Sequence, residues 1–248
     1  MKRFILIAIF LTVPAILAAQ GINVPARNIL DLPNASTLPN ASFDVTMRIF
    51  PDGGLLSGVN VGLNERFMIG VSYGGINVIG KGDIDWHPFA GATARYRVLS
   101  ESFSLPGIAI GFDSQGHGAY VDSVKRFERK SLGFFAVSSK NYRIFDGLSI
   151  HLGTNYSLET KDEDRGLNVF TGAELNIRPE LAFTIEYDFA LNDNSGRSLG
   201  EGKGFLNIGA RYTIKDAVYF EIFLFDALEN FQEMQRAIRL TYLEFFRL

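Results

Sequence analysis

The sequence predicts an all-β fold: a single antiparallel transmembrane β-barrel of about twelve strands over residues 42–248, with both termini on the periplasmic side. Three observations lead there. From Ser42 onward, apolar and polar residues alternate with period 2 in one segment after another, which marks strands with two chemically different faces. These segments have the roughly 9–11 residues that a tilted strand needs to cross a bilayer. The connections between them alternate between compact and long, as periplasmic turns and external loops do.

The N-terminus reads as an export signal. Lys2 and Arg3 precede an uncharged apolar run over residues 4–18, Pro14 interrupts it, and Ala18 and Ala19 offer a cleavage site before Gln20. Residues 1–19 are therefore expected to be removed, which places the rest outside the cytoplasm. Residues 20–41 are rich in Pro and Asn and contain LPNAS twice, at 32–36 and 38–42. Pro fixes φ and cannot donate to a ladder, so this segment is read as an extended periplasmic lead-in; whether it enters the lumen is open. Cysteine is absent, which excludes disulfides, thiolate metal sites and Cys nucleophiles.

The strands then follow in order. In 42–50, Phe43, Val45, Met47 and Ile49 oppose Asp44, Thr46 and Arg48. The pattern is clearest in 147–159, where Leu148, Ile150, Leu152, Thr154, Tyr156 and Leu158 alternate with Ser149, His151, Gly153, Asn155, Ser157 and Glu159. Segment 181–192 repeats it, with Phe183, Ile185 and Tyr187 against Thr184, Glu186 and Asp188. The other strands are expected at 55–63, 66–74, 89–98, 106–113, 131–139, 167–176, 204–214, 217–225 and 236–246; in 131–139 the outward row is ambiguous. The connections at 64–65, 99–105, 140–146, 177–180 and 215–216 are compact, while those at 75–88, 114–130, 160–166, 193–203 and 226–235 are long; the turn 51–54 is short although it falls on the long-loop side.

Alternation alone does not choose between a soluble and a membrane barrel. The choice rests on asymmetry. After the leader, every Lys falls in a connection or at a strand end, and the central polar positions hold Gly, Ser, Thr, Asn and acids matched by Arg. Four or five large apolar side chains per strand would overfill the inside of one small barrel, whereas lipid accepts them all. Outward aromatics also gather at two levels, Tyr73, Phe112, Tyr156 and Phe189 toward one rim and Phe43, Phe67, Tyr212 and Phe246 toward the other. The expected location is the bacterial outer membrane, and the first partner is its lipid.

With that phase, the lumen is lined by Asp44, Arg48, Arg95, Arg97, Asp113, His151, Glu174, Glu186, Asp188, Arg211, Glu221 and Arg239. Two roles are open for them. They brace the barrel through paired, charge-assisted hydrogen bonds, or they form a track for a polar or anionic solute. No catalysis, metal or cofactor is expected. His151, Asn155 and Ser157 share a row, but residues two and four apart on a strand lie about 6.5 and 13 Å apart, and no nucleophile elbow is present. His87 and His117 sit in different loops without metal-ligand spacing. The Gly-rich run 111–118 lacks the ending of a phosphate loop and reads as a flexible turn. Without the two leader cations, 22 Lys and Arg face 27 acids, which argues against a nucleic-acid partner.

The stretches PGIAIGFDSQGHGAY (106–120) and GFFAVSSKNY (133–142) resemble the YjbH-type outer-membrane barrels, in which a Pro-led strand ends in an acid, a Gly-rich loop follows, and the next strand ends in Ser-Lys. Pro106, Asp113, Gly116, Gly118, Ser139 and Lys140 carry the likeness, and LPNASTLPNASF is similar to that family's approach to its first strand. The resemblance implies association with exopolysaccharide or capsule production and its export machinery. The expected role is a channel or secretion component for a polar solute or such a polymer. The alternatives are a general small-solute porin, a structural barrel with a plugged lumen, and an outer-membrane hydrolase.

Overall fold

The computed structural model describes residues 25–195, 197–231 and 233–246; the expected leader lies outside the described residues. In chain order the strands are β1 (Ser42–Phe50), β2 (Gly54–Asn64), β3 (Phe67–Ile76), β4 (Asp85–Trp86), β5 (Gly91–Leu99), β6 (Gly107–Asp113), β7 (His117–Val121), β8 (Arg126–Arg129), β9 (Gly133–Tyr142), β10 (Gly147–Tyr156), β11 (Asn168–Arg178), β12 (Leu181–Asp188), β13 (Phe205–Ile214), β14 (Val218–Phe225) and β15 (Gln235–Phe245). Twelve of them form a closed antiparallel ring: β1 pairs with β15 and β2, and β2 pairs with β3. These twelve are the expected strands, in number and order. Closure leaves no edge with unpaired backbone groups, which is what allows a sheet to sit in lipid.

Local chemistry sets the ends. The strand expected over 181–192 stops at Asp188, whose Oδ1 accepts the Ala190 N–H (2.9 Å) and so turns the chain out of the ladder. The short first turn follows from Asp52 and Gly53, both at positive φ (58° and 62°), the pairing that matches hairpin twist. The register shifts in β2, β5 and β11 all lie at the short-turn end, where bulges help a sheet curve.

Two structured pieces were not expected. β4 pairs with the end of β3, and within 114–130 the chain forms the hairpin β7–β8, so 111–118 is strand and hairpin rather than a flexible turn. The larger difference is the lead-in. Residues 25–41 do not extend away from the barrel; they fold back inside it, with Ile29, Leu30, Leu32, Ala35 and Leu38 buried.

The expected outward row faces out. Val45, Met47, Ile49, Ile150, Leu152, Phe183 and Ile185 are each more than two-fifths exposed, and the rim aromatics pair up, Phe43 with Phe246 (5.1 Å) and Phe112 with Phe134 (5.0 Å). This is the exterior of an outer-membrane β-barrel. Arg placed at Ile185 should therefore cost about 2–4 kcal/mol in unfolding from lipid. The inner row responds by place: Ser149→Arg, half-buried near the short-turn end, should be mild, while Thr184→Arg, at a site 3% exposed, should not. Equal responses at Ile185 and Ser149 would overturn the assignment of faces.

Candidate functional site: the occupied lumen

The lumen is filled by a plug made from the chain's own residues 25–41. It is a reverse turn: Asn34 N–H donates to Arg27 O (3.1 Å) and Ile29 N–H to Leu32 O (2.8 Å), which leaves Leu30 and Asp31 at the tip. Each LPNAS copy contributes a buried leucine. Leu32 packs with Ile29 and Ala35 against Ala109, Phe135, Val137 and Phe170, and Leu38 packs against Met68, Tyr219 and Leu243. At the tip, Leu30 meets Phe223, Phe225 and Ala237. The ambiguity of 131–139 now has a cause. β9 is apolar on both faces because one faces lipid and the other, Phe135 and Val137, faces the plug.

Inward glycines make room for this segment. A Cβ on Gly62 would fall 2.0 Å from Pro39 O, and one on Gly209 would fall 2.6 Å from the Leu30 side chain.

Polar contacts seat the plug against the strands. The Glu186 carboxylate, fully buried, accepts the N–H groups of Leu30 (3.0 Å), Asp31 (3.1 Å) and Leu32 (3.0 Å) and the Asn207 amide (2.8 Å). Three convergent N–H groups make an anion nest, here carried by the plug and filled by the wall. The arginines serve the plug's carbonyls. Arg95 donates to Arg27 O (2.5 Å), Asn34 O (3.2 Å) and Ser36 O (3.0 Å), Arg211 to Asn28 O (3.1 Å) and Ile29 O (3.2 Å), and Arg239 to Leu30 O (2.8 Å). Two of them are held in turn by acids: Glu221 pairs with Arg211 (2.9 Å) and Arg239 (2.6 Å), and Glu174 pairs with Arg211.

Asp31 joins three elements. It pairs with Arg48 of β1 (2.6 Å) and Arg129 of β8 (2.5 Å), and His117 of β7 lies 3.8 Å from it and 2.9 Å from Arg48. Burial alone would raise the Asp31 carboxyl, but the guanidinium groups of Arg48, Arg129 and Arg239 hold it well below the usual carboxylate range. Burial pushes His117 down to about 3, and Arg48, Arg129 and Arg239 add to this against the pull of Asp31. The imidazole is therefore neutral at physiological pH.

The hairpin β7–β8 that reaches Asp31 is locked from the other side by a buried cluster. Arg126, 0% exposed, donates to both oxygens of Asp193 (2.6 Å each) and to Asp162 (2.7 Å). Lys130 joins Asp162 (2.7 Å), and Glu159 accepts the N–H groups of Phe127 (3.0 Å) and Ser131 (2.5 Å). Burial raises the Glu159 carboxyl despite those bonds. Three long loops are thus tied together over one mouth of the barrel.

Among the expected lumen residues, Asp44, Arg48, Arg95, His151, Glu186, Arg211 and Glu221 are buried inside, while Asp113, Glu174, Asp188 and Arg239 are half-buried there. Arg97 is different, since it sits at the short-turn rim and donates to Glu65 O. Asp44 pairs with Arg27 of the plug and accepts from Asn60 (2.8 Å). A cavity of about 180 Å³ remains beside the plug, lined in part by Thr46, Asn60, Ser72, Thr93 and Asp113, enough for several waters.

The row His151, Asn155, Ser157 does not assemble. Asn155 donates to Leu132 O (2.9 Å), Ser157 Oγ accepts the Glu159 N–H (3.2 Å), and His151 Nδ1 meets Ser139 Oγ (2.8 Å). That Ser139 oxygen also accepts the Ala35 N–H (2.9 Å), so the plug covers the Ser–His pair. Sequence reasoning missed Asp31, Arg126, Arg129, Asp162 and Asp193. Their signal was charge inside segments that otherwise read as linkers.

Among solved structures, the chain is similar to KdgM porin, at 12% identity and TM-score 0.48, over 83% of this chain and 99% of that one. It is similar to KdgM porin in complex with disordered oligogalacturonate, at 10% identity and TM-score 0.49, over 83% and 99%. It is also similar to the NanC porin, at 9% identity and TM-score 0.45, over 83% and 100%. No family model and no curated protein matches the chain, and none of these likenesses assigns it to the YjbH-type family.

Proposed function

We propose that this protein is a bacterial outer-membrane barrel held shut by its own N-terminal segment, with the barrel strands starting and ending on the periplasmic side. The observation that carries this is the seating of the plug tip: the wall carboxylate of Glu186 fills a nest of three plug N–H groups while Arg48 and Arg129 clamp Asp31. The lumen charges fit a clamp better than an open track, because Arg48, Arg95, Arg211 and Arg239 are spent on the plug or on acids that hold them. A channel or secretion role for a polar solute or exopolysaccharide then belongs to a state in which the plug has moved. No catalytic step is part of this reading, since the plug covers the His151–Ser139 pair.

The test is conductance in planar bilayers, with protein taken from the outer-membrane fraction and checked for an altered gel mobility before heating. The full chain should be closed, and a variant lacking residues 25–36 should open a steady pore. A full chain that conducts like an open pore would overturn the proposal. A folded deletion variant that stays closed would leave a structural barrel with no gate.

A further inference from the structure

The short turns are not alike. Those at 64–66 (Asn-Glu-Arg), 179–180 (Pro-Glu) and 215–216 (Lys-Asp) are polar or charged. The turns β5–β6 and β9–β10 carry charges too, Glu101, Arg143 and Asp146, but add Phe103, Leu105, Ile144 and Phe145, which are 100%, 52%, 47% and 78% exposed. Because β6 pairs with β9, these two turns are neighbours and form one apolar sector of the rim. Phe145 takes a positive φ (51°), a backbone state that bulky residues rarely adopt, so its turn presents the ring at a conformational cost.

A second observation fixes where this sector lies. Lys140 sits opposite Ile150 in the ladder and so belongs to the lipid-facing row. Its ammonium does not reach into water alone; it donates to Ser102 O (2.6 Å), Phe103 O (3.0 Å) and Leu105 O (3.5 Å) and pairs with Glu101 of the same turn (3.5 Å), which neutralises that carboxylate. The turn is thereby tied to the lipid-facing row, on which Tyr142, Val98 and Ile110 of β9, β5 and β6 are each more than two-fifths exposed. Fully exposed Phe in water is unfavourable, whereas rings continuous with an apolar belt, and edged by the Lys140–Glu101 pair, Arg143 and Asp146, match acyl chains below a polar headgroup layer.

We infer that the turns 100–106 and 143–146 are an interfacial anchor that inserts into the phospholipid leaflet at the short-turn end and sinks the β5–β10 side of the barrel deeper than the rest. This rests on the membrane placement above but not on the plug. The experiment uses the full chain with Trp86→Phe, which removes its single native tryptophan, and adds one reporter at a time: Phe103→Trp, Phe145→Trp, Glu65→Trp or Ile185→Trp. Each variant is placed in phosphatidylcholine vesicles with brominated acyl chains. Emission at positions 103 and 145 should fall at least about twofold and resist aqueous iodide, while position 65 should respond the opposite way. Position 185 reports whether the barrel is in the bilayer at all. Quenching at 185 with positions 103 and 145 open to iodide would overturn the anchor while leaving the barrel placement intact. Shielding of 103 and 145 from both quenchers would also overturn it, in favour of a protein cover.

Discussion

Asp31→Ala should release the tip of the plug and cost about 3–5 kcal/mol, because it leaves two buried guanidinium groups without their anion. Arg48 and Arg129 are 7% and 17% exposed at the side chain, so water cannot replace the lost carboxylate cheaply. Both also lie over the Phe225 ring, at 4.6 and 4.7 Å, a contact too weak to hold them in place alone. Chemical unfolding in lipid, with protease cleavage within residues 25–41 as a local readout, checks the expectation. Native stability and an uncut plug in this variant would show that Glu186 and the apolar contacts suffice.

Arg126→Ala should be equally costly, about 3–5 kcal/mol, and its damage should appear elsewhere. It strands Asp193, 3% exposed, and leaves Asp162 with Lys130 as its remaining cation. Arg126→Lys should not rescue it, since one ammonium cannot reproduce the fork that grips both oxygens of Asp193 while reaching Asp162. The three tied loops should become protease-sensitive while the strands keep their heat-dependent gel mobility. A variant with resistant loops would mean that Glu159 and Lys130 hold the cluster without Arg126.

The barrel was legible because its strands repeat one pattern twelve times, an apolar row outward and a mostly polar row inward, and lipid enforces the outer row. The plug was not, because it follows no period: Ile29, Leu30 and Leu32 are buried by a reverse turn, a shape that Pro and Asn permit without announcing. Its mark on the sequence lies in its hosts. Inward Phe135, Val137, Phe223 and Phe225 have no reason to face an aqueous lumen, and the ambiguity of 131–139 was that mark. The buried charges Arg126, Asp162, Asp164 and Asp193 were hidden for a different reason. Loop charges are normally solvated, and only the three-dimensional meeting of Arg126, Asp162 and Asp193 shows these to be buried.

The plug has a kinetic consequence. Leu30 bonds to Glu186 across 156 residues and to Arg239 across 209, and Asn28 bonds to Arg211 across 183. Contacts so distant along the chain form slowly, since the chain entropy of closing each long loop is lost before the contact stabilises anything. Arg48 and Arg95 come with β1 and β5, but the side chains of Glu186, Arg211 and Arg239, which hold residues 28–32, arrive only with β12, β13 and β15. Until they do, Ile29, Leu30 and Leu32 are an unpacked apolar stretch ahead of an unclosed sheet, exposed to proteases and to any holding chaperone in the compartment between the membranes. Seating of the plug is thus completed only with ring closure, when β15 brings Arg239 and meets β1.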